Sequence, residues 1–311
     1  MSDVSKYILK LSSLKVDRSH GAPAPHKAIL LISVLQFLLE GRLRDNRISI
    51  TPELVARFKD NWRALVEGDR FTPNFSLPFY HLRSEGFWHL KTLPGSAVPT
   101  TSSHSVKSLV ALKNAVAYAS LDEPLFRAAA QPQTCRLLIS ALLQTYFDDR
   151  TLNYTGQNAM TEAEQKVLYE PPSKIKTEKI GEEEAFIRSG AFKKQVPLVY
   201  NYTCCISGMA ITATRDVQMV DACHIVPFAE THLDHITNGL SLSPNLHRAF
   251  DRFLITIDED YKVVVSNSFT ESEHYSIRRF HGQPILLPGD PRFYPAIENL
   301  QWHHKKFGQL Q

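Results

Sequence analysis

Cysteine is scarce, with four residues in 311, at positions 135, 204, 205 and 223. No two of them stand in a Cys-x-x-Cys spacing, which leaves no basis for a disulfide framework or a zinc knuckle. The adjacent Cys204 and Cys205 read instead as buried strand core. Long apolar runs are missing too. The most apolar stretch, residues 28–39, is too short to span a bilayer and contains Ser33 and Gln36. The opening residues, MSDVSKYILK, lack the layout of a secretory signal, so a soluble, cytoplasmic protein with no membrane partner is expected. No internal repeat is visible. Net charge is only +3, with 43% hydrophobic and 22% charged residues, which excludes a disordered tail-like chain and describes an ordinary globular one.

The charge that is present is uneven. Residues 1–91 hold 14 lysines and arginines against 9 acidic residues, a bias that suits a polyanionic partner. The chain is long enough for about two domains. A first domain is expected over residues 1–165, a linker over 166–180 around Glu170-Pro171-Pro172, and a second domain over 181–311. Helices are expected over 28–40, from Pro52 onward with Thr51 as cap, over 106–119 and over 134–147. Residues 70–91 alternate aromatics and prolines with Arg70, His81 and Arg83. They read either as a loop covering the core or as an apolar pocket with a basic rim. In the second domain an amphipathic helix over 182–200 is interrupted by Gly190 and Pro197. His303, His304, Lys305 and Lys306 end the chain as a surface helix.

The densest chemistry lies between Val220 and Phe253. Residues 220–226 are β-branched at both ends and stop at Pro227, so His224 sits on a strand. Asn238-Gly239 is a turn signal before a second short strand, 240–242. Ser243-Pro244 then opens a helix, Ser as N-cap and Pro in the first position. On that helix His247 and Asp251 are four apart and share one face. An imidazole and a carboxylate on one face suit Mg²⁺, Mn²⁺ or another transition metal ion. A histidine held on a strand suits a general base taking a proton from water. A strand hairpin over 253–257 and 261–266 follows.

The order His224, Asn238-Gly239, His247, Asp251 resembles the HNH nuclease motif. That resemblance implies a strand–strand–helix unit holding one divalent metal over a DNA phosphate, with Asn238 fixing the strand and the base. Many members carry a metal-binding His or Asp directly before the base, where this chain has Cys223. Asp221, two residues earlier on the strand, is the first choice for a third ligand and Cys223 the second. Arg248, beside His247, is a candidate phosphate contact.

Pro25-His26-Lys27 at a helix start, with Ser76-Leu77-Pro78-Phe79-Tyr80-His81-Leu82 some fifty residues later, resembles the sulfur-binding domain. That domain precedes HNH modules in restriction endonucleases that cut phosphorothioate-modified DNA. The resemblance covers residues 1–165. It implies that His26 and Lys27 approach the DNA backbone while Leu77 and Pro78 form an apolar cup for sulfur. Some members have an aromatic ring where this chain has Leu77, and Tyr80 and Arg83 are candidates to compensate. The expected fold class is therefore α+β, a mainly helical DNA-reading domain followed by a ββα-metal nuclease domain. The expected activity is metal-assisted, modification-dependent cleavage of double-stranded DNA in a bacterial or archaeal cell, by a homodimer, since one HNH unit cuts one strand. Two other readings stay open: a reader of a methylated or hydroxymethylated base or an unmodified sequence, and a sensor with a weakened nuclease centre.

Overall fold

Residues Lys27 to Phe37 are buried without a break, so the helix carrying them runs through the middle of its unit. The computed structural model describes residues 3–19, 21–96, 106, 108–147, 160–171, 181–211, 218–272 and 274–310. They divide into two units, Met1–Glu162 with Gly181–Ile187, and Ala163–Ile180 with Arg188–Gln311. Class and content are α+β, with a mainly helical first unit.

The first unit contains α1 (Asp3–Ser12), α2 (His26–Leu39), α3 (Pro52–Leu65), α4 (Ser76–His81), β1 (Trp88–Thr92), α5 (Leu109–Ala115), β2 (Val116–Leu121), α6 (Glu123–Ala129) and α7 (Pro132–Tyr146). Helices α3, α4 and α7 pack on α2. As expected, Thr51 caps α3, its hydroxyl accepting from the Leu54 amide at 3.2 Å. The polar residues of α2 are satisfied inside the core. The Asn61 amide donates to Ser33 Oγ at 2.9 Å and to Gln36 Oε1 at 2.8 Å, which removes the cost of burying them.

Two expectations need correction here. The helix expected over 106–119 is only Leu109–Ala115, and Val116–Leu121 is a strand. Its β-branched and aromatic residues pair antiparallel with β1, Trp88 opposite Leu121, and Ile48 bridges to Ala119 from a third segment. Non-local pairing overrides the local helical period. Residues 70–75 are irregular, but those from Ser76 onward are not a loop. They form α4, a 3₁₀ turn (Leu82–Glu85) and β1, and Phe75, Phe79, Phe87 and Trp88 are buried in the core. The Trp88 indole donates to Phe79 O at 3.0 Å, which settles its one polar group. Residues 97–105, 148–159 and 172–180, including most of the expected linker, lie outside the described residues.

The second unit contains α8 (Glu162–Tyr169, from Ala163), the part of α9 (Glu182–Val199) from Arg188, β3 (Asp221–His224), α10 (Phe228–Thr231), β4 (Gly239–Leu242), α11 (Pro244–Asp251), β5 (Ile255–Ile257), β6 (Val263–Val265) and α12 (Ile297–Gln309). Helix α9 runs on through Gly190 and Pro197, where an interruption was expected. Strands β3 and β4 are antiparallel, with Asp221 opposite Leu242 and His224 opposite Gly239, and β5 pairs with β6 as the expected hairpin.

Asn238-Gly239 is not a hairpin turn. Gly239 is extended at φ −121° and opens β4 after a long connection. Its glycine is required by close packing: a Cβ there would lie 2.5 Å from Val196 Cγ2 and 3.1 Å from Phe192 Cζ on α9. Ser243 stands at the N-cap of α11, but its hydroxyl donates to Asn245 Oδ1 at 2.7 Å instead of capping.

His303 departs from the expected surface helix end. It is buried, stacked on Phe250 with ring centroids 3.7 Å apart and hydrogen-bonded through Nδ1 to Thr256 Oγ1 at 2.8 Å. Burial lowers its pKa from 6.5 to about 4, and burial does the same for His235, to about 4. The unfolded imidazoles therefore take up protons first as the pH falls. Stability carried by these two neutral rings is present above pH 6.5 and is lost as the pH drops toward about 4. Thermal melting of the chain between pH 7 and pH 4 should show the second unit's transition falling, and falling less in His303→Gln.

Among the described residues no helix is long and apolar enough to cross a membrane.

Candidate functional site

Two cavities matter, one in each unit. In the second unit, His224, His247 and Asp251 line a common cavity of about 320 Å³ together with Phe228 and Phe253. Strand β3 supplies His224, and α11 supplies the other two, His247 from its first turn and Asp251 from its last residue. The four-residue spacing on α11 does what the sequence requires, setting Asp251 Oδ2 3.5 Å from His247 Nε2. On the other side of that ring, His247 Nδ1 donates to Asp221 Oδ2 at 3.2 Å.

Cys223 completes the group. Its Sγ lies 3.8 Å from Asp251 Oδ1, and one ligand atom each from Cys223, His247 and Asp251 lie within 4.8 Å of one another. The thiol is fully buried, and burial, reinforced by the Asp251 charge, holds its pKa well above the ordinary range. A sulfur, an imidazole nitrogen and a carboxylate oxygen at this separation fit a divalent transition metal ion. Asp221, the first choice from sequence as third ligand, lies outside that close group and sits behind His247. A carboxylate in that location orients a metal-binding imidazole and fixes which nitrogen is bare.

Asn238 is fully buried, and its side chain ties the connection together. Its amide nitrogen donates to Val226 O at 3.0 Å and Leu233 O at 3.2 Å, while Oδ1 accepts from the Val226 amide at 2.9 Å. It therefore fixes the exit of strand β3, which carries His224. His224 Nε2 donates to Asp234 Oδ1 at 2.8 Å. Sequence reasoning did not find Asp234: it lies in an irregular connection, and no spacing rule relates it to His224. Arg248 is exposed on α11 next to His247.

In the first unit, His26, Lys27, Leu77, Pro78 and His81 all line one cavity of about 560 Å³, with Arg70, Phe71, Ala24 and Lys15. The sequence-selected residues thus come together, but not all in the expected roles. Lys27 is turned inward. Its ammonium donates to Lys15 O at 2.7 Å and to Ser84 Oγ at 3.4 Å and is paired with the Glu85 carboxylate, so its charge is neutralised within the wall. His26 donates from Nε2 to Thr72 O at 2.9 Å and meets the Trp62 ring edge-on at 4.6 Å. Burial lowers the pKa of His26, and burial together with Lys27 lowers that of His81. Both shifts favour the neutral imidazole, and the exposed cations on this cavity are Arg70 and Lys15. Arg70 belongs to the basic rim noticed in the sequence, though it was not among the selected site residues. Pro25 is buried at the N-terminus of α2 and lines an adjoining cavity instead. Tyr80 is buried beneath the Arg83 guanidinium, 3.8 Å from its ring centroid, and neither residue lines the main cavity.

Residues 204–258 match the family described as HNH endonuclease. Residues 4–154 match the family described as ScoMcrA-like, DNA sulfur-binding domain. Among solved structures, the chain is similar to one titled modification dependent TagI restriction endonuclease, at 25% identity over 39% of this chain and 38% of that one, with a TM-score of 0.31. The chain thus spans well under half of that protein's length. No curated protein matches the sequence.

Proposed function

From a chain that joins a DNA sulfur-binding domain of the ScoMcrA-like family to an HNH endonuclease domain, we propose a modification-dependent DNA endonuclease that reads a phosphorothioate linkage and hydrolyses a phosphodiester bond nearby. The observation that carries the cutting half is the convergence of His224, His247 and Asp251 on one cavity. His224 takes a proton from the attacking water. His247, Asp251 and Cys223 would hold a divalent ion, with Asp221 orienting the His247 ring. The ion, when bound, neutralises charge that develops on the phosphate and on the leaving oxygen. Arg248 steadies a neighbouring phosphate.

The reading half is supported by the first unit's cavity. Sulfur in place of a non-bridging oxygen is larger and less strongly hydrated, so a wall of Leu77, Pro78, Ala24 and Phe71 favours it. Arg70 and Lys15 supply the sequence-independent attraction to the backbone. His26 and His81 meet the modified linkage as neutral polar groups, and Lys27 braces the wall. A reader of flipped bases would need an aromatic cage, whereas five of the six Phe, Tyr and Trp residues in 70–91 are committed to the core. Reading falls to residues 1–165 and cutting to 181–311. Double-strand cleavage calls for two copies, hence a homodimer.

The test uses one duplex sequence with and without phosphorothioate at a defined step, each incubated with the protein and Mg²⁺ or Mn²⁺. Cutting of the modified duplex alone is the expected result. Equal cutting of both removes the sulfur reader, and selective binding without cutting under any metal points to a sensor.

A further inference from the structure

The imidazole of His224 is held more tightly than a general base on an open strand needs to be. Its Nε2 donates to Asp234 Oδ1 at 2.8 Å, and its face stacks on Phe192 with centroids 4.0 Å apart and planes 8° from parallel. The Asp234 side chain is 2% exposed. Its second oxygen, Oδ2, is buried and has no hydrogen-bond partner among the described residues. A carboxylate buried with half of its accepting capacity idle is costly for folding. Asn238 holds it there: its amide fastens Leu233, the residue before Asp234, and Val226, two residues after His224.

We propose that Asp234 is the positioning residue of the base: it fixes the His224 proton on Nε2, leaves Nδ1 bare toward the cavity shared with His247 and Asp251, and faces the positive charge that forms when Nδ1 is protonated. An ionised carboxylate can only accept, so the hydrogen of this bond resides on the ring. Which ring nitrogen is bare follows directly. In the reaction a water O–H bond breaks and its proton passes to Nδ1. The water oxygen bonds to phosphorus as the bond from phosphorus to the leaving sugar oxygen breaks, and that oxygen takes up a proton from solvent. The imidazolium so formed keeps its Nε2–H on Asp234 and later yields the Nδ1 proton to solvent. Asn238, on this account, positions the base twice, once through its strand and once through its carboxylate.

The role of Asp234 rests on the nuclease reading above, and two measurements separate them. The first is the ¹⁵N spectrum of the full chain with labelled histidine, the His224 signals assigned by their loss in His224→Ala. A neutral ring protonated on Nε2 is expected; a ring protonated on Nδ1 overturns the proposal whatever the activity. The second is single-turnover cutting of the phosphorothioate duplex by Asp234→Asn. The amide is nearly isosteric but can present N–H to Nε2 and drive the proton to Nδ1. A fall in rate on the order of 10²–10⁴ is expected, as when the orienting carboxylate of a catalytic histidine is replaced. Duplex affinity should stay within about twofold, because Asp234 is buried and does not line the cavity. A variant that cuts within about threefold of the wild type overturns the role of Asp234 and leaves the nuclease reading standing. A wild type that cuts no duplex under any divalent ion overturns the nuclease reading, and the catalytic half of this proposal with it. If Asp234→Asn melts early, the wild-type spectrum decides.

Discussion

His224→Ala should cut the modified duplex at a rate lowered by about 10²–10⁴ while binding it almost as well as the wild type. Among the described residues, it removes the one imidazole that combines a place on the cavity wall with a strand-anchored backbone. The β3 ladder does not depend on that side chain, since His224 and Gly239 are paired through the main chain. The ring's absence opens a gap beside Phe192, so a modest loss of stability is expected as well. Single-turnover cleavage at saturating protein, set beside a duplex binding curve, separates the two effects. If His224→Ala cuts at the wild-type rate, the base is another residue.

The second large effect is expected at His247. Its replacement by alanine removes the imidazole that lies between Asp221 and Asp251 and leaves a thiol and one carboxylate to hold the ion. Cleavage should fall to background, and calorimetric Mn²⁺ binding should fall with it, which a defect in DNA binding alone would not produce. The donor set also implies an order among ions. Sulfur and imidazole nitrogen favour Mn²⁺ and later transition metals over Mg²⁺, which prefers all-oxygen shells. Asp221→Asn should weaken binding of the same ion by roughly 10- to 100-fold, the usual range for an orienting group behind a ligand. Removal of Asp221 that abolishes metal binding as completely as removal of His247 would make it a direct ligand and Cys223 a bystander.

The parts of the molecule legible in the sequence are those whose geometry is local. His247 and Asp251 share a helix face by simple periodicity, and Pro227 and Pro244 bound their elements whatever the rest of the chain does. The α2 core helix and the Thr51 cap were readable for the same reason. Contacts that depend on distant segments were not. Nothing near Lys27 announces that Glu85, 58 residues away, neutralises it. The strand identity of Val116–Leu121 is decided by partners at Trp88–Thr92 and at Ile48. His303 looks like one of a basic surface cluster until Phe250 and Thr256 are brought to it. Asp234 belongs with these, because its distance to His224 is set by how Asn238 draws the intervening chain together.

The missing side chain at 239 has a consequence for any survey of this protein by mutation. Val196 and Phe192 occupy the volume that a methyl group there would need, and Phe192 is also the surface on which His224 lies flat. Enlarging residue 239 pushes on the helix and, through it, tilts the imidazole. A scan scored by DNA cutting would therefore rank Gly239 with the histidines, although it has no chemical group to contribute, and a scan scored by duplex binding would pass it over.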